Sequence, residues 1–176
     1  MIAAYLSLLR TITRHWAAWA LFASALMLAI AHAFEKFGGL APCLLCLKQR
    51  EVYWTAMGVA AAGLVLQYVV RRPALVRLAS AALALVFLAG MGIAIWHAGA
   101  EWKWWPGPEA CAVDRDATFS TAGIGDLLSG APQAVPRCDE ALWHFLGLSM
   151  AGWNAIISLK LAVLSVLAAT GFGGRK

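Results

Sequence analysis

Charged residues are scarce in this chain. They make up 13% of its 176 residues, whereas hydrophobic residues make up 62%. A typical soluble domain is about 45–50% apolar and about 25% charged. The mean hydropathy of +0.73 points the same way. The composition therefore excludes an ordinary soluble domain and indicates an integral membrane protein.

Several familiar motifs are also missing from the sequence. It has no glycine-rich nucleotide-binding loop, no clear haem or iron–sulfur ligand set, and no run of alternating ten-residue segments typical of a membrane barrel. The net charge is +5, but the basic residues lie at the ends of apolar segments rather than in one patch. This placement argues against a nucleic-acid partner and is typical of a helical membrane protein.

Four apolar stretches are long enough to cross a bilayer, which takes roughly 17–25 helical residues. They lie at about 16–34, 52–70, 78–96 and 148–169. Helices are expected because a backbone in lipid must satisfy its own hydrogen bonds. We predict an all-α, monomeric, four-helix transmembrane bundle that forms one domain over residues 1–176, with one long outer loop.

The charges predict the orientation of the bundle. Residues 1–15, 71–77 and 170–176 carry seven basic residues and no acidic residue, whereas 97–143 carries three basic and seven acidic residues. The positive-inside rule places both termini and the 71–77 turn in the cytoplasm. The loops at about 35–51 and 97–143, which contain all the cysteines, then face outward.

The first apolar stretch has an alternative interpretation as a secretory signal peptide. Arg10 and Arg14 precede it, and Ala31-His32-Ala33 imitates a cleavage site. The stretch is longer than the usual apolar region of a signal peptide, and its removal would leave three spans and force one terminus across the membrane. We therefore expect it to be retained.

A Cys-x-x-Cys motif lies between the first two stretches. Cys43 and Cys46 stand in Pro-Cys-Leu-Leu-Cys, and Arg50 follows four residues later. If Pro42 opens a helix, these three residues share one face. Cys46 would lie in the first turn, where free backbone N–H groups and the helix dipole stabilise an anion. The motif therefore predicts a thiolate on Cys46, which is the reactive form of cysteine.

The four cysteines permit three pairings. The simplest joins Cys43 to Cys46 and Cys111 to Cys138, in an outer compartment that favours disulfides. The second bond could be a plain loop staple worth about 3–4 kcal/mol. The first closes too small a loop to stabilise much, so it indicates redox exchange or metal binding. A structural zinc site usually needs two close pairs of thiolates, and only one close pair exists, so we expect no metal.

Two disulfides at the membrane surface suggest an electron relay. Electrons would pass from a partner thiol to Cys111–Cys138, then to Cys43–Cys46, and then to an acceptor dissolved in the bilayer. Each thiol step is a thiolate attack through a mixed disulfide. A quinone fits the last position because it is soluble in lipid and accepts two electrons.

The chain resembles the DsbB family of disulfide bond formation membrane proteins over nearly its whole length. The resemblance begins with the Cys-x-x-Cys motif of Cys43 and Cys46, followed by Gln49 and Arg50. It continues with His97 and the two loop cysteines, Cys111 and Cys138. It ends with the segment Trp143-His144-Phe145-Leu146-Gly147-Leu148-Ser149-Met150 and with Trp153. It implies a protein-dithiol:quinone oxidoreductase of the bacterial inner membrane, with the cysteines in the periplasm. The acceptor would be ubiquinone or menaquinone, and the partner a periplasmic DsbA-like thioredoxin-fold oxidase.

The resemblance also implies a role for each cysteine. Cys111 would be attacked by the partner thiol, and Cys138 would be its disulfide mate. Cys43 would exchange with the loop pair. Cys46 would face the quinone, with Arg50 holding the quinone ring near it.

Four polar residues lie in or beside the predicted spans. His97 would hydrogen-bond a quinone oxygen or carry a proton, and its alternative is simple solvation at the membrane interface. Gln49 stands where the family often has an acidic residue, so the resemblance carries no proton relay to it. Asn154 is expected to make a hydrogen bond between helices, as is Gln67.

Two rival functions remain. One is a quinone enzyme similar to vitamin K epoxide reductase, but in that family the Cys-x-x-Cys motif opens a later span, after the loop pair. The other is a non-catalytic membrane protein with structural disulfides or a zinc site. Extractable quinone would favour the enzyme, and stoichiometric metal would favour the zinc protein.

Overall fold

The computed structural model describes residues 1–108 and 137–172. Its helices are α1 (Ile2–Arg14), α2 (Trp16–Gly38), α3 (Leu44–Val65), α4 (Pro73–Glu101) and α5 (Met150–Ala169). A π-helical turn, Leu66–Val70, extends α3. Just before α5, strand β1 (His144–Phe145) pairs antiparallel with strand β2 (Leu148–Ser149). The described chain is therefore almost wholly helical.

The prediction of four membrane spans is confirmed. In the described residues, four helices are long and apolar enough to cross a membrane, and these are Trp16–Gly38, Leu44–Val70, Pro73–Glu101 and Met150–Ala169. The chain is thus a multi-pass helical membrane protein.

At the cysteine end the helices extend beyond the predicted spans. The loop expected at 35–51 shrinks to a connection of residues 39–43, because α2 runs on to Gly38 and α3 begins at Leu44. Hydropathy assigns charged residues to loops, but helical hydrogen bonding continues through the membrane interface. Pro42 does not open α3 either. It precedes Cys43, which is the N-cap.

The core of the bundle lies between α2, α3, α4 and α5. Its larger buried side chains include Trp16, Leu28, Tyr53, Phe87 and Leu161. Small residues let the helices approach closely, which is the usual basis of packing between helices in lipid.

Gly90 of α4 shows how close this approach is. A Cβ atom placed there would lie only 2.8 Å from Cγ1 of Val52 on α3. The absence of a side chain at this position therefore sets the spacing of α3 and α4.

The predicted cytoplasmic segments gather at one end of the bundle. Pro73 begins α4 immediately after the Arg71-Arg72 turn. The Arg77 guanidinium packs against Gly171, and Arg10 lies 5.8 Å from the centre of the Phe172 ring. The cysteines of α3 lie at the opposite end.

Helix α1 is absent from the sequence-based prediction. It carries exposed apolar residues, including Ile2, Tyr5 and Leu8, and it precedes the first span directly. Gln67 Nε2 donates to the backbone oxygen of Arg14 at 3.2 Å. This contact confirms the interhelical hydrogen bond expected of Gln67 and fixes the end of α1 against the extension of α3.

Candidate functional site

The two inner cysteines lie at the N-terminus of α3. Cys43 is the N-cap, and its Sγ accepts the backbone N–H of Cys46 at 3.2 Å. The two Sγ atoms are 2.7 Å apart, and both residues are free thiols. The structure therefore describes the dithiol form of the inner pair, and the Cys43–Cys46 disulfide stays a prediction for its oxidised form.

Hydrogen bonds converge on the sulfur of Cys43 rather than on that of Cys46. The Cys46 thiol lies within hydrogen-bond distance of it, His97 Nε2 lies 3.6 Å away, and the backbone N–H of Cys46 points at it. The bond from the Cys46 thiol, with the help of His97, lowers the pKa of Cys43 to about 4, although burial opposes this shift. An N-cap side chain receives the free backbone N–H groups of a helix. In this reduced pair the hydrogen bonds favour a thiolate on Cys43, and the thiolate expected on Cys46 stays a prediction.

The loop cysteine Cys138 lies beside the inner pair. It is fully buried in one cluster with Cys43 and Leu45, against which Cys46 and Ile93 pack. Cys138 is disulfide-bonded. Cys111, its expected mate, lies outside the described residues, so this pairing stays a prediction. The structure thus brings a disulfide sulfur and a dithiol into the same apolar environment.

Ion pairs tie the Cys138 segment to the end of α4. Lys103 Nζ donates to the Asp139 carboxylate at 2.6 Å and to the Asp139 backbone oxygen at 2.7 Å. Arg137 donates to the same carboxylate through two nitrogens, each at 2.9 Å. Arg137 and Lys103 hold the pKa of Asp139 well below its usual range.

A cavity of about 330 Å³ opens in front of Cys46. Its walls come from α2, α3, α4, α5 and the segment before α5, and most of them are apolar. The apolar lining includes Met27, Leu28, Ala31, Phe34, Leu142, Trp143, Phe145, Met150 and Ile157. The volume and the lining are typical of a small-molecule site.

Arg50 contributes a fixed positive charge to this cavity. It lines the cavity together with Cys46, which confirms the predicted common face. Its Nη1 donates to Glu35 Oε2 at 2.5 Å, and its Nη2 donates to the backbone oxygen of Ala31 at 3.2 Å. Both acceptors belong to α2, so α2 fixes the position of the guanidinium.

His97 also lies at the site, and its burial contradicts simple solvation at the interface. Its side chain is 6% exposed. Its Nδ1 contacts Gln49 Nε2 at 2.9 Å, and its Nε2 lies 3.6 Å from Cys43 Sγ. His97 therefore contacts the thiol pair directly, as a site residue should.

Glu101 is a member of the site that the sequence reasoning missed. Its Oε1 lies 3.7 Å from His97 Nε2, and its side chain is 5% exposed. Its Oε2 has no hydrogen-bond partner among the described residues. Buried polar atoms without partners are rare and need an explanation. The spacing of four residues from His97, at the end of a mostly apolar helix, was the available signal.

The site has some resemblance to a metal centre. The ligand atoms of Cys43, Cys46 and His97 lie within 4.8 Å of one another. A structural zinc site usually has four ligands, and in the described part of the chain no fourth residue joins this group. The arrangement suits thiol exchange better than a closed structural site.

Comparison with known proteins agrees with this chemistry. The family "Disulfide bond formation protein DsbB" matches residues 13–168. The protein named "Disulfide bond formation protein B" of Methylococcus capsulatus is 34% identical over 152 residues, which cover 84% of this chain and 87% of that protein. The protein of the same name from Pasteurella multocida is 32% identical over 176 residues, with coverages of 92% and 89%. The Marinobacter nauticus protein is 32% identical over 143 residues, with coverages of 80% and 82%.

Proposed function

This chain belongs to the DsbB family of disulfide bond formation proteins, and we propose that it oxidises a periplasmic DsbA-like thiol carrier and passes the electron pair to a membrane quinone. As a family member it is an oxidoreductase of disulfide formation. One observation carries the finer proposal. Disulfide-bonded Cys138 and the Cys43 thiol share a buried cluster, and the Cys43–Cys46 pair also lines an apolar cavity.

The first exchange takes place in the outer loop. The partner's thiolate attacks Cys111 and breaks the Cys111–Cys138 disulfide, so that a mixed disulfide forms between the partner and Cys111. The partner's second thiol then attacks the partner sulfur of this mixed disulfide. The partner leaves with an internal disulfide, and Cys111 is released as a thiol. The loop pair is left as two thiols. This step is drawn from the family role of these two cysteines, and it delivers reducing equivalents to Cys138.

The second exchange passes the electrons inward. When the inner pair is oxidised, the Cys138 thiolate attacks Cys43 Sγ and Cys46 leaves as a thiolate. Cys111 then attacks Cys138 and releases Cys43. One disulfide forms as the other breaks, so electrons balance. The backbone N–H of Cys46 donates to Cys43 Sγ and stabilises it as a leaving thiolate, because a thiol of lower pKa leaves faster.

The residues around the cavity fit a quinone head group. The walls are apolar, the Arg50 guanidinium can donate to a quinone oxygen, and Glu101 Oε2, which has no partner among the described residues, can accept from a hydroxyl of the reduced quinol. A bound quinone supplies an acceptor for two electrons and two protons. Cys43 and Cys46 both line the cavity, and the family role makes Cys46 the sulfur that faces the quinone. Arg50 would stabilise negative charge that develops there.

The proposed sidedness follows from the basic residues. Arg10, Arg71 and Arg77 lie at the end of the bundle opposite Cys43. The positive-inside rule then puts this basic end in the cytoplasm of a bacterial inner membrane and the thiols in the periplasm. Accessibility to a membrane-impermeant thiol reagent in intact spheroplasts would test this orientation.

Anaerobic turnover tests the function as a whole. Purified full-length protein is mixed with a reduced DsbA-like protein and a panel of ubiquinones and menaquinones. We expect one quinol for each partner disulfide formed, and no quinol with Cys46→Ser. A protein that holds stoichiometric zinc and gives no turnover with any quinone would support the non-catalytic alternative instead.

A further inference from the structure

A chain of buried hydrogen bonds leads from α5 to the thiol pair. Tyr53 lies 3.3 Å from the Ser158 hydroxyl and donates to Asn154 Oδ1. Asn154 Nδ2 donates to Gln49 Oε1 at 2.6 Å. Gln49 Nε2 then meets His97 Nδ1 at 2.9 Å. The chain crosses α3, α4 and α5 and ends on the ring that contacts Cys43.

The order of donors and acceptors fixes the direction of this chain. Asn154 accepts at its oxygen, so its amide nitrogen is the group that faces Gln49. Gln49 likewise accepts at its oxygen and presents its amide nitrogen to His97. An amide nitrogen can only donate, so His97 Nδ1 must accept. A neutral imidazole that accepts at Nδ1 carries its hydrogen on Nε2.

We propose that Gln49 is a positioning residue that holds His97 in the Nε2–H tautomer, so that the ring donates to the sulfur of Cys43. Nε2 lies 3.6 Å from that sulfur, which is within reach of a hydrogen bond to sulfur. The proposal rests on the proposed function, because it concerns the thiol that exchanges with Cys138. It gives a role to Gln49, Asn154 and Tyr53, which the relay itself does not use.

Burial couples the tautomer of His97 to the orientation of the Gln49 and Asn154 amides. Gln49 is 9% exposed, Asn154 is 6% exposed and Tyr53 is 4% exposed. Water cannot readily replace a broken bond at such positions, and an unsatisfied buried polar group is costly. Reversal of one amide would require every amide of the chain to reverse. A residue that hydrogen-bonds to one ring nitrogen of a functional histidine commonly sets which nitrogen carries the hydrogen.

The tautomer decides what Cys43 meets when it is released. With hydrogen on Nε2, the thiolate gains a donor as the loop disulfide closes. With hydrogen on Nδ1, a ring lone pair would face the sulfur instead. No proton leaves His97 in this step, and the ring acts only as a donor. Glu101 Oε1, 3.7 Å from the same nitrogen, lies beyond hydrogen-bond distance.

Nitrogen NMR of the native protein tests the proposal without any substitution. The full-length protein is labelled with ¹⁵N-histidine, reduced, and stripped of quinone. The chain has four histidines, and the signals of His97 are those lost in His97→Gln. We expect hydrogen on Nε2 and a bare Nδ1, read from the long-range couplings to the ring carbon-bound hydrogens. Hydrogen on Nδ1 would overturn the proposal.

Two variants test the part played by Gln49. Gln49→Glu replaces the donor with an acceptor of nearly the same shape, and we expect hydrogen to move to Nδ1. Ser158→Ala leaves the Tyr53–Asn154 bond in place, and we expect the His97 spectrum to stay unchanged. A wild-type spectrum in Gln49→Glu, or a changed spectrum in Ser158→Ala, would show that Gln49 does not set the tautomer of His97. Loss of quinone turnover with an Nε2–H ring would refute the proposed function alone.

Discussion

The carboxylate of Glu35 accepts a 2.5 Å hydrogen bond from Arg50, so helix α2 holds the guanidinium of α3 at the wall of the cavity. The side chain of Arg50 is 16% exposed and that of Glu35 is 40% exposed. The pair therefore lies at the rim, where the charge of Arg50 is oriented by Glu35 without being shut away from the cavity.

We expect Arg50→Ala to lower kcat/KM for quinone by about 10- to 100-fold, because a hydrogen bond to a charged group is worth about 1.5–3 kcal/mol. Steady-state turnover at varied quinone concentration measures the effect. Arg50→Lys is the matched control, since it keeps the charge but loses the planar fork. Unchanged quinone affinity and turnover in Arg50→Ala would remove this residue from the site.

The low pKa of Cys43 predicts that its thiolate still reacts with alkylating reagents at acid pH. The folded value, about 4, lies below the ordinary thiol value. The thiolate is therefore present above pH 4 and is lost as the pH falls through that value. Trapping of the reduced protein with iodoacetamide, followed by peptide mass spectrometry, should show a midpoint near pH 4 for Cys43. In Cys46→Ala the midpoint should rise, because the largest stabilising hydrogen bond is gone. A wild-type midpoint in the ordinary thiol range would contradict this prediction.

The order of the relay predicts a split between two cysteine variants. Cys111→Ser should block electron transfer from the partner protein but leave quinone reduction by a chemically reduced inner pair. Cys46→Ser should abolish that quinone reduction. Single-turnover assays with each donor separate the two steps. Normal partner oxidation by Cys111→Ser would refute the order.

Asp139 should hold the Cys138 segment in place over a wide pH range. Its pKa is lowered by Arg137 and then by Lys103. Its stabilisation is thus present above the usual aspartate range and is lost as the pH falls through the lower folded value. Asp139→Asn should speed hydrogen exchange in the segment after residue 137 at pH 7. Wild-type protection should persist at pH 4.

Glu140→Gln is the control for Asp139→Asn, since Glu140 lies 3.7 Å from Arg137 on the exposed side. Equal exchange in the wild type and Asp139→Asn would show that these ion pairs do not anchor the segment.

Close packing predicts a sharp contrast between two glycines of α4. At Gly90 a new Cβ would meet Val52 Cγ1 at 2.8 Å, whereas at Gly92 it would meet nothing within 4 Å. Overpacking typically costs about 1–3 kcal/mol. Gly90→Ala should therefore lower the Tm in detergent, and Gly92→Ala should not. Equal melting of the two variants would mean that α3 and α4 can move apart freely.

Local patterns explain what the sequence predicts well. Long apolar stretches define the four spans, and helical spacing puts Cys46 and Arg50 on one wall of the cavity. Both properties depend on neighbours in the chain. The position of Cys43 as N-cap was missed because it depends on a shift of two residues at the start of α3, and helix ends are the least certain feature of a sequence.

Contacts between distant segments could not be predicted in the same way. Gln49 and Asn154 are 105 residues apart, and Gln49 and His97 are 48 apart. Asn154 was expected to hydrogen-bond between helices, and it does, but its partner depends on how α3 and α5 are rotated against each other. The role of Cys111 stays a prediction, because it lies outside the described residues.

Burial of the sulfurs has a last consequence, which is insulation. Cys138 is 0% exposed and Cys43 is 5% exposed. Cys43 can be reached by a small reagent through the cavity that it lines, but Cys138 presents no exposed surface to solvent. Direct attack on the Cys138 sulfur is thereby confined to thiols of the protein itself.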